Sequence, residues 1–416
     1  MPMRFTMLAT MLSLLLCGST DAHAQRVGVT LAETFGQTQP DDRIGAAGAD
    51  RIRGLHWVDG DLIVTGNDGR TLSDDVQATD DGYNPATGDH LSRFVYRVST
   101  RTGERLWQQR YTGDHGRTTV SPDDRHVLVQ LDTSGLAANE DDTAIARVLD
   151  ARTGETHTDV LHRDVSEAVR RDAGDTIDTL AFGPRRGEVV MVFQQSEEDA
   201  RRANRVDNQG QTLIDTHGTR AYRYHWQRRR RVGRAFMTDP GPIEFSLSPD
   251  GTLLGYVAPL HNVICVYGVQ AQRDRVLAGQ HQTRRTEPDE PAAMLDAPFY
   301  SGIQINNTHA VVARDAPGGP DPAMLFVINL TNGQVEARIE SPGGHLVFDV
   351  DFDRERIAVT GSARHLAVYD FAGNELYFEE DATPHRNHAI AISSNGRRIA
   401  LGGHDNLVRV YNIDRR

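Results

Sequence analysis

His388-Ala-Ile-Ala-Ile-Ser-Ser-Asn-Gly396, Arg397-Arg-Ile-Ala-Leu-Gly-Gly403, His404-Asp-Asn406 and Leu407-Val-Arg-Val-Tyr-Asn412 follow one another without a break. Each apolar run is six residues or fewer and is bounded by Gly, Asn, Asp or Ser. That is the pattern of short strands joined by tight turns, not of helices. The stretch predicts three antiparallel strands in 25 residues.

The same marks recur upstream. Ser248-Pro-Asp-Gly251 repeats the first turn, and Ser121-Pro-Asp-Asp124 nearly does. Gly361-Ser362, Leu366-Ala-Val-Tyr-Asp370 and Ala372-Gly373 form another copy. Thr102-Gly103, Thr153-Gly154 and Asn332-Gly333 mark a turn before a fourth strand. On these motifs the chain resembles the WD40-like family of β-propeller repeats, in an exported bacterial form, most clearly in its last third. Tyr369 and Tyr411 stand where that family carries Trp, and its Gly-His dipeptide is mostly absent or displaced. The resemblance implies an all-β, seven-bladed propeller of four-stranded antiparallel blades, with protein–protein interaction as the default role.

Seven repeats are expected near 45–113, 114–163, 164–237, 238–280, 281–342, 343–380 and 381–416. The last ends on its third strand. The run Val27-Gly-Val-Thr-Leu-Ala-Glu-Thr-Phe35 is a strand without a repeat of its own. It is therefore expected to complete the last blade and close the ring, which would remove an exposed sheet edge.

Residues 1–24 read as a secretory signal. Arg4 precedes an apolar run from Met7 to Cys17, and Ala22-His23-Ala24 is an A-x-A cleavage site. The mature chain would begin at Gln25, periplasmic or secreted, as a single domain over 25–416. Lipidation at Cys17 is the rival reading, but Leu16 precedes it where a small residue is wanted. Cleavage leaves one cysteine, Cys265, in an apolar strand-like run, so no disulfide forms within the mature chain. No later segment has membrane-spanning length.

Composition excludes several chemistries. Hydrophobic residues are 38% and glycines number 38 in 416, a globular balance. All 45 basic residues are arginine. A chain without lysine has no Schiff-base or pyridoxal-phosphate lysine and no Walker-A loop. The net charge of −13 argues against nonspecific nucleic-acid binding by the whole chain. There is also no G-x-S-x-G elbow, H-E-x-x-H or C-x-x-C-H.

In a four-stranded meander, first–second and third–fourth turns share one end. Second–third turns and the links between blades share the other. The long segments nearly all belong to the second end: Gly69–Leu91, Thr133–Thr143, Ser196–His217, Gln280–Pro298 and Asp315–Pro322. Loops on a rigid scaffold are where function concentrates. Asp74, Asp75, Asp80, Asp81, Tyr83 and Asp89 fall in the first, and Glu140, Asp141 and Asp142 in the second. These are the candidate binding residues. They read as solvated acidic loops, or as the site of a cationic partner or Ca²⁺, the ion that clustered carboxylates take. No cofactor is predicted, and the metal question stays open. At the opposite end Arg228-Arg-Arg-Arg231 reads as a charged hairpin tip, or as a grip for anionic headgroups.

Aligning the innermost strands places His56, Arg117, Glu244, Gln304, Asp349 and Asp351 toward the axis, with bulkier neighbours such as Trp57 and Ile392 packing between blades. These channel candidates would line a water-filled opening or assemble an acid–base or metal site. The expected function is an exported, monomeric protein-binding platform that uses its long loops. The alternative is a propeller hydrolase or oxidoreductase with a metal or cofactor at the channel.

Overall fold

The computed structural model describes residues 27–36, 51–71, 91–112, 117–131, 144–161, 176–183, 185–194, 220–237, 244–249, 252–258, 263–268, 273–278, 300–316 and 322–414. Among them are 28 strands and a single turn of 3₁₀ helix, Trp226–Arg228. No helix among the described residues is long and apolar enough to cross a membrane.

The strands form seven four-stranded antiparallel sheets. Strand β1 is Gly28–Gly36. Sheet I contains β2 (Arg51–Val58), β3 (Asp61–Thr71), β4 (Leu91–Val98) and β5 (Arg105–Thr112). Sheet II contains β6 (Thr118–Val120), β7 (His126–Gln130), β8 (Ala144–Asp150) and β9 (Thr156–Leu161). Sheet III contains β10 (Thr176–Phe182), β11 (Glu188–Gln194), β12 (Arg220–His225) and β13 (Arg230–Met237). Sheet IV follows with β14 (Glu244–Leu247), β15 (Leu253–Ala258), β16 (Val263–Gly268) and β17 (Arg273–Ala278). Sheet V has β18 (Tyr300–Ile305), β19 (His309–Arg314), β20 (Ala323–Asn329) and β21 (Val335–Ser341). Sheet VI has β22 (Leu346–Asp351), β23 (Arg356–Gly361), β24 (Leu366–Asp370) and β25 (Glu375–Glu379). Sheet VII joins β26 (Asn387–Ile392), β27 (Arg398–Gly403) and β28 (Leu407–Asp414) to β1, in the order β26-β27-β28-β1.

Apart from β1, the strands of each sheet fall inside one of the seven repeats expected from sequence. The last strand runs two residues further than expected, to Asp414. Strand β1 pairs with β28 from Gly28 opposite Asp414 to Gly36 opposite Leu407, with a bulge between Leu31 and Glu33. The N-terminal run thus supplies the fourth strand of the C-terminal sheet.

Period-two alternation explains how the sheets pack. On β27, Ile399 and Leu401 join a core with Ala358, Leu366 and Val368 of sheet VI, while Ala400 joins one with Ile52, Leu55 and Val64 of sheet I. On β19, Ala310 and Val312 pack with Val257 and Val266 of sheet IV, while Val311 and Ala313 pack with Leu346, Ile357 and Val359 of sheet VI. Sheets I and II share Ile63, Val95, Val127 and Val129, and sheets II and III share Leu128, Val148, Leu180 and Met191. Each core is therefore built by two consecutive sheets, and sheet VII packs on sheet I. Gly255 marks a close approach: a Cβ there would stand 2.7 Å from Ile305 of the next sheet.

The turn motifs work as their chemistry requires. Ser121 Oγ accepts from the amides of Arg125 and His126, and Ser393 Oγ from those of Arg397 and Arg398. Ser248 Oγ accepts from Leu253 N, and Asn306 Oδ1 does the same job for Thr308 and His309. Gly103, Gly154 and Gly333 adopt φ of +71°, +74° and +71°, a region that favours glycine before the fourth strand.

Candidate functional site

The polar residues of the innermost strands are joined to the next sheet. Ser246 Oγ accepts from Ile305 N (3.2 Å). Gln304 reaches sheet VI twice, donating to Phe348 O (3.3 Å) and accepting from Val350 N (3.2 Å). Asp349 Oδ2 accepts from Ile392 N in sheet VII (2.7 Å). Trp57 Nε1 donates to Ala391 O (3.1 Å), which ties sheet I to sheet VII. His56 takes a hydrogen bond with the backbone of Thr118 in sheet II. At five junctions, I–II, IV–V, V–VI, VI–VII and VII–I, a side chain thus supplies what a continuous ladder would supply within a sheet.

This placement has electrostatic consequences. Burial holds the Asp349 carboxyl above the usual carboxylate range, and the neighbouring Asp351 adds to the rise. Hydrogen bonds from Ile392, Gln304 and Val350 pull it back in part. Desolvation lowers His56, against the bond to Thr118. Asp351 is buried and held by Arg354, whose Nη1 lies 3.1 Å from Oδ2 and whose amide donates to Oδ1. Gln304, Asp349 and Asp351 therefore come together, while His56 lies on sheet I and bonds to sheet II. Arg117 exchanges backbone and side-chain bonds with Gln130 of its own sheet. Glu244 opens β14, opposite Val257. Among the described residues, no group of three or more His, Cys, Asp or Glu is placed to hold a metal.

The loop candidates Asp74, Asp75, Asp80, Asp81, Tyr83, Asp89, Glu140, Asp141 and Asp142 lie outside the described residues. Their position in the fold is nonetheless bounded. β3 ends at Thr71 and β4 begins at Leu91; β7 ends at Gln130 and β8 begins at Ala144. Both segments are second–third connections.

At that same end, sequence reasoning missed a pair of residues. Asp315 follows β19, and His345 immediately precedes β22. Asp315 Oδ2 and His345 Nδ1 are 2.5 Å apart. Asp315 Oδ1 accepts from Ser301 Oγ (2.9 Å) and from Leu346 N (3.0 Å). The Asp315 side chain is 13% exposed and that of His345 is 40% exposed. A carboxylate only accepts, so the shared proton sits on Nδ1, and a neutral ring would carry its lone pair on Nε2. That orientation is the one a general base needs. The only signal in the sequence was Gly343-Gly344-His345 ahead of a strand.

Two other histidines serve packing. His388 lies against His404 with ring centres 4.4 Å apart. His365 is buried between Ser341, whose Oγ is 3.0 Å from Nε2, and the ring of Phe378.

No protein-family model matches this sequence, and no curated protein matches it.

Proposed function

We propose that the seven sheets are the blades of one closed propeller of the WD40-like kind, exported, and that it serves as a monomeric protein-binding platform. The observation that carries this reading is the unequal length of the connections at the two ends. At one end the turns are short, as in Asp59–Gly60, Ser121–Arg125 and Phe352–Glu355. At the other, the chain spends residues 72–90, 132–143 and 195–219 between consecutive strands of single sheets. The inner polar residues are used in holding neighbouring sheets together, so the long-loop end is where variable contacts are affordable. Recognition there would rest on shape and on the acidic side chains of the loops.

The test is retention of a partner from envelope extract. The wild-type chain and an Asp349→Asn variant should both retain the same protein. A chain in which 72–90 is replaced by a short Gly-Ser turn should lose it. Retention by all three baits, or loss with Asp349→Asn, would contradict the reading.

A second reading rests on the Asp315–His345 pair. An oriented imidazole at the loop end would act as a general base toward water or a substrate hydroxyl, in a hydrolase. On that reading an activated ester is hydrolysed by a water whose proton passes to His345 Nε2. His345→Gln would abolish that rate and Asp315→Asn would lower it by about 10²-fold or more. A pH profile identical in wild type and His345→Gln removes this reading.

A further inference from the structure

Sheets II and III meet, at the short-turn end, around three rings. His126 and His157 each lie 5.1 Å from the Trp226 ring, and 5.5 Å from each other, all in edge-on arrangements. Trp226 is 2% exposed. Trp226 N donates to Gly187 O, and a Cβ on Gly187 would stand 2.6 Å from His225 and 3.0 Å from Gln227. Four turns are thereby fixed side by side: 121–125 and 151–155 of sheet II, 185–187 and 226–229 of sheet III.

These turns display Arg152, Arg185, Arg186, Arg228, Arg229 and Arg230, all exposed. Two of the carboxylates beside them accept from turn amides. Asp150 accepts from the amides of Arg152 and Thr153, and Asp123 from Ser121 Oγ and Arg125 N. Asp123 and Glu155 are exposed and Asp124 and Asp150 half-buried, so the six arginines outnumber the acids beside them. The corresponding turns of sheet V, Asn306–Thr308 and Thr331–Gln334, carry no guanidinium. In a chain of net charge −13 this is a local reversal of sign. Arg229 also holds a left-handed conformation, φ 47° and ψ 49°, at the tip, where glycine would be unstrained.

We propose that this end of sheets II and III is a docking face for an anionic lipid bilayer. The chemistry selects that partner over others. The arginines stand on adjacent turns and not around a cleft, so the ligand must be extended and multivalent. The large exposed apolar side chains among the described residues are Leu31, Leu106 and Phe378, on sheets VII, I and VI. The face therefore lacks the apolar core of a protein interface. Its aromatic ring, Trp226, is buried and offers no platform for stacking bases. What remains is a spread of guanidiniums facing lipid phosphates.

Sedimentation of the purified chain with vesicles tests this. The wild type should sediment with phosphatidylcholine vesicles that contain phosphatidylglycerol at low salt, remain in solution with pure phosphatidylcholine, and be released by high salt. Each arginine removed should lower the partition coefficient about fivefold, so that Arg228→Ser/Arg229→Ser/Arg230→Ser together lose about 10²-fold. Arg229→Gly alone should lose about fivefold with no fall in melting temperature, which separates binding from folding. Arg397→Ser, on a turn of sheet VII, should sediment as the wild type does. The proposal is overturned if the wild type ignores anionic vesicles, if it binds neutral vesicles equally, or if Arg397→Ser loses as much as Arg229→Gly. It is also overturned if the chain binds an RNA homopolymer or polyglutamate better than vesicles of equal charge.

Discussion

His365 shows how a single side chain ties this fold to pH. It is 1% exposed, with Ser341 on Nε2 and no partner for Nδ1 among the described residues. Desolvation lowers its pKa from 6.5 to about 4. The folded protein thus binds this proton less readily than the unfolded chain. The stability contributed is full above pH 6.5 and is lost as pH falls from there through about 4. Between pH 7 and pH 5 the loss is on the order of 2 kcal/mol at most. Denaturant unfolding at the two pH values should show it, and His365→Gln should flatten the difference. An unchanged slope in the variant would mean that other groups carry the dependence. Nothing in the sequence singled out His365, because its burial depends on Ser341, Thr360 and Phe378 from three other strands. The turn serines Ser121, Ser248 and Ser393 were readable from sequence, since their partners lie within five residues. Asp315 and His345 were not, because their contact crosses from one sheet to the next.

Strand β1 is the element on which the account depends most. Val27 and Val29 are buried in the core that includes Leu376, Ile390, Tyr411 and Ile413, and Val27 N donates to Leu376 O of sheet VI. This one strand therefore contacts both the sheet it completes and the sheet before it. Val29→Ala removes buried methyl groups and should cost about 2 kcal/mol. Leu31→Ala, at 54% exposure on the same strand, should cost well under 1 kcal/mol. Equal effects of the two, measured by equilibrium unfolding, would mean that β1 is not docked as described. The strand was visible in sequence as an apolar run without a repeat, and the missing fourth strand of the last repeat gave it a destination. Its bulge at Leu31/Glu33 was not visible, since a bulge depends on the register with β28.

Among the described residues, cores are shared by sheets I and II, II and III, IV and V, V and VI, VI and VII, and VII and I. The turn pattern carried the number and order of the sheets in the sequence, because each strand and its turn are local. What each junction is made of was hidden. Asp349 reads as a candidate acid in the sequence, and in the structure its carboxylate holds the amide of Ile392 across two sheets. The central claim is that these junctions make one closed ring, latched by β1. Amide hydrogen exchange, followed peptide by peptide in the wild type and in Val29→Ala, tests this most directly. A closed ring predicts that weakening the latch speeds exchange of the slowest amides in all seven sheets by a similar factor. Acceleration confined to β26, β27 and β28 would contradict it, and would show sheets that open independently of one another.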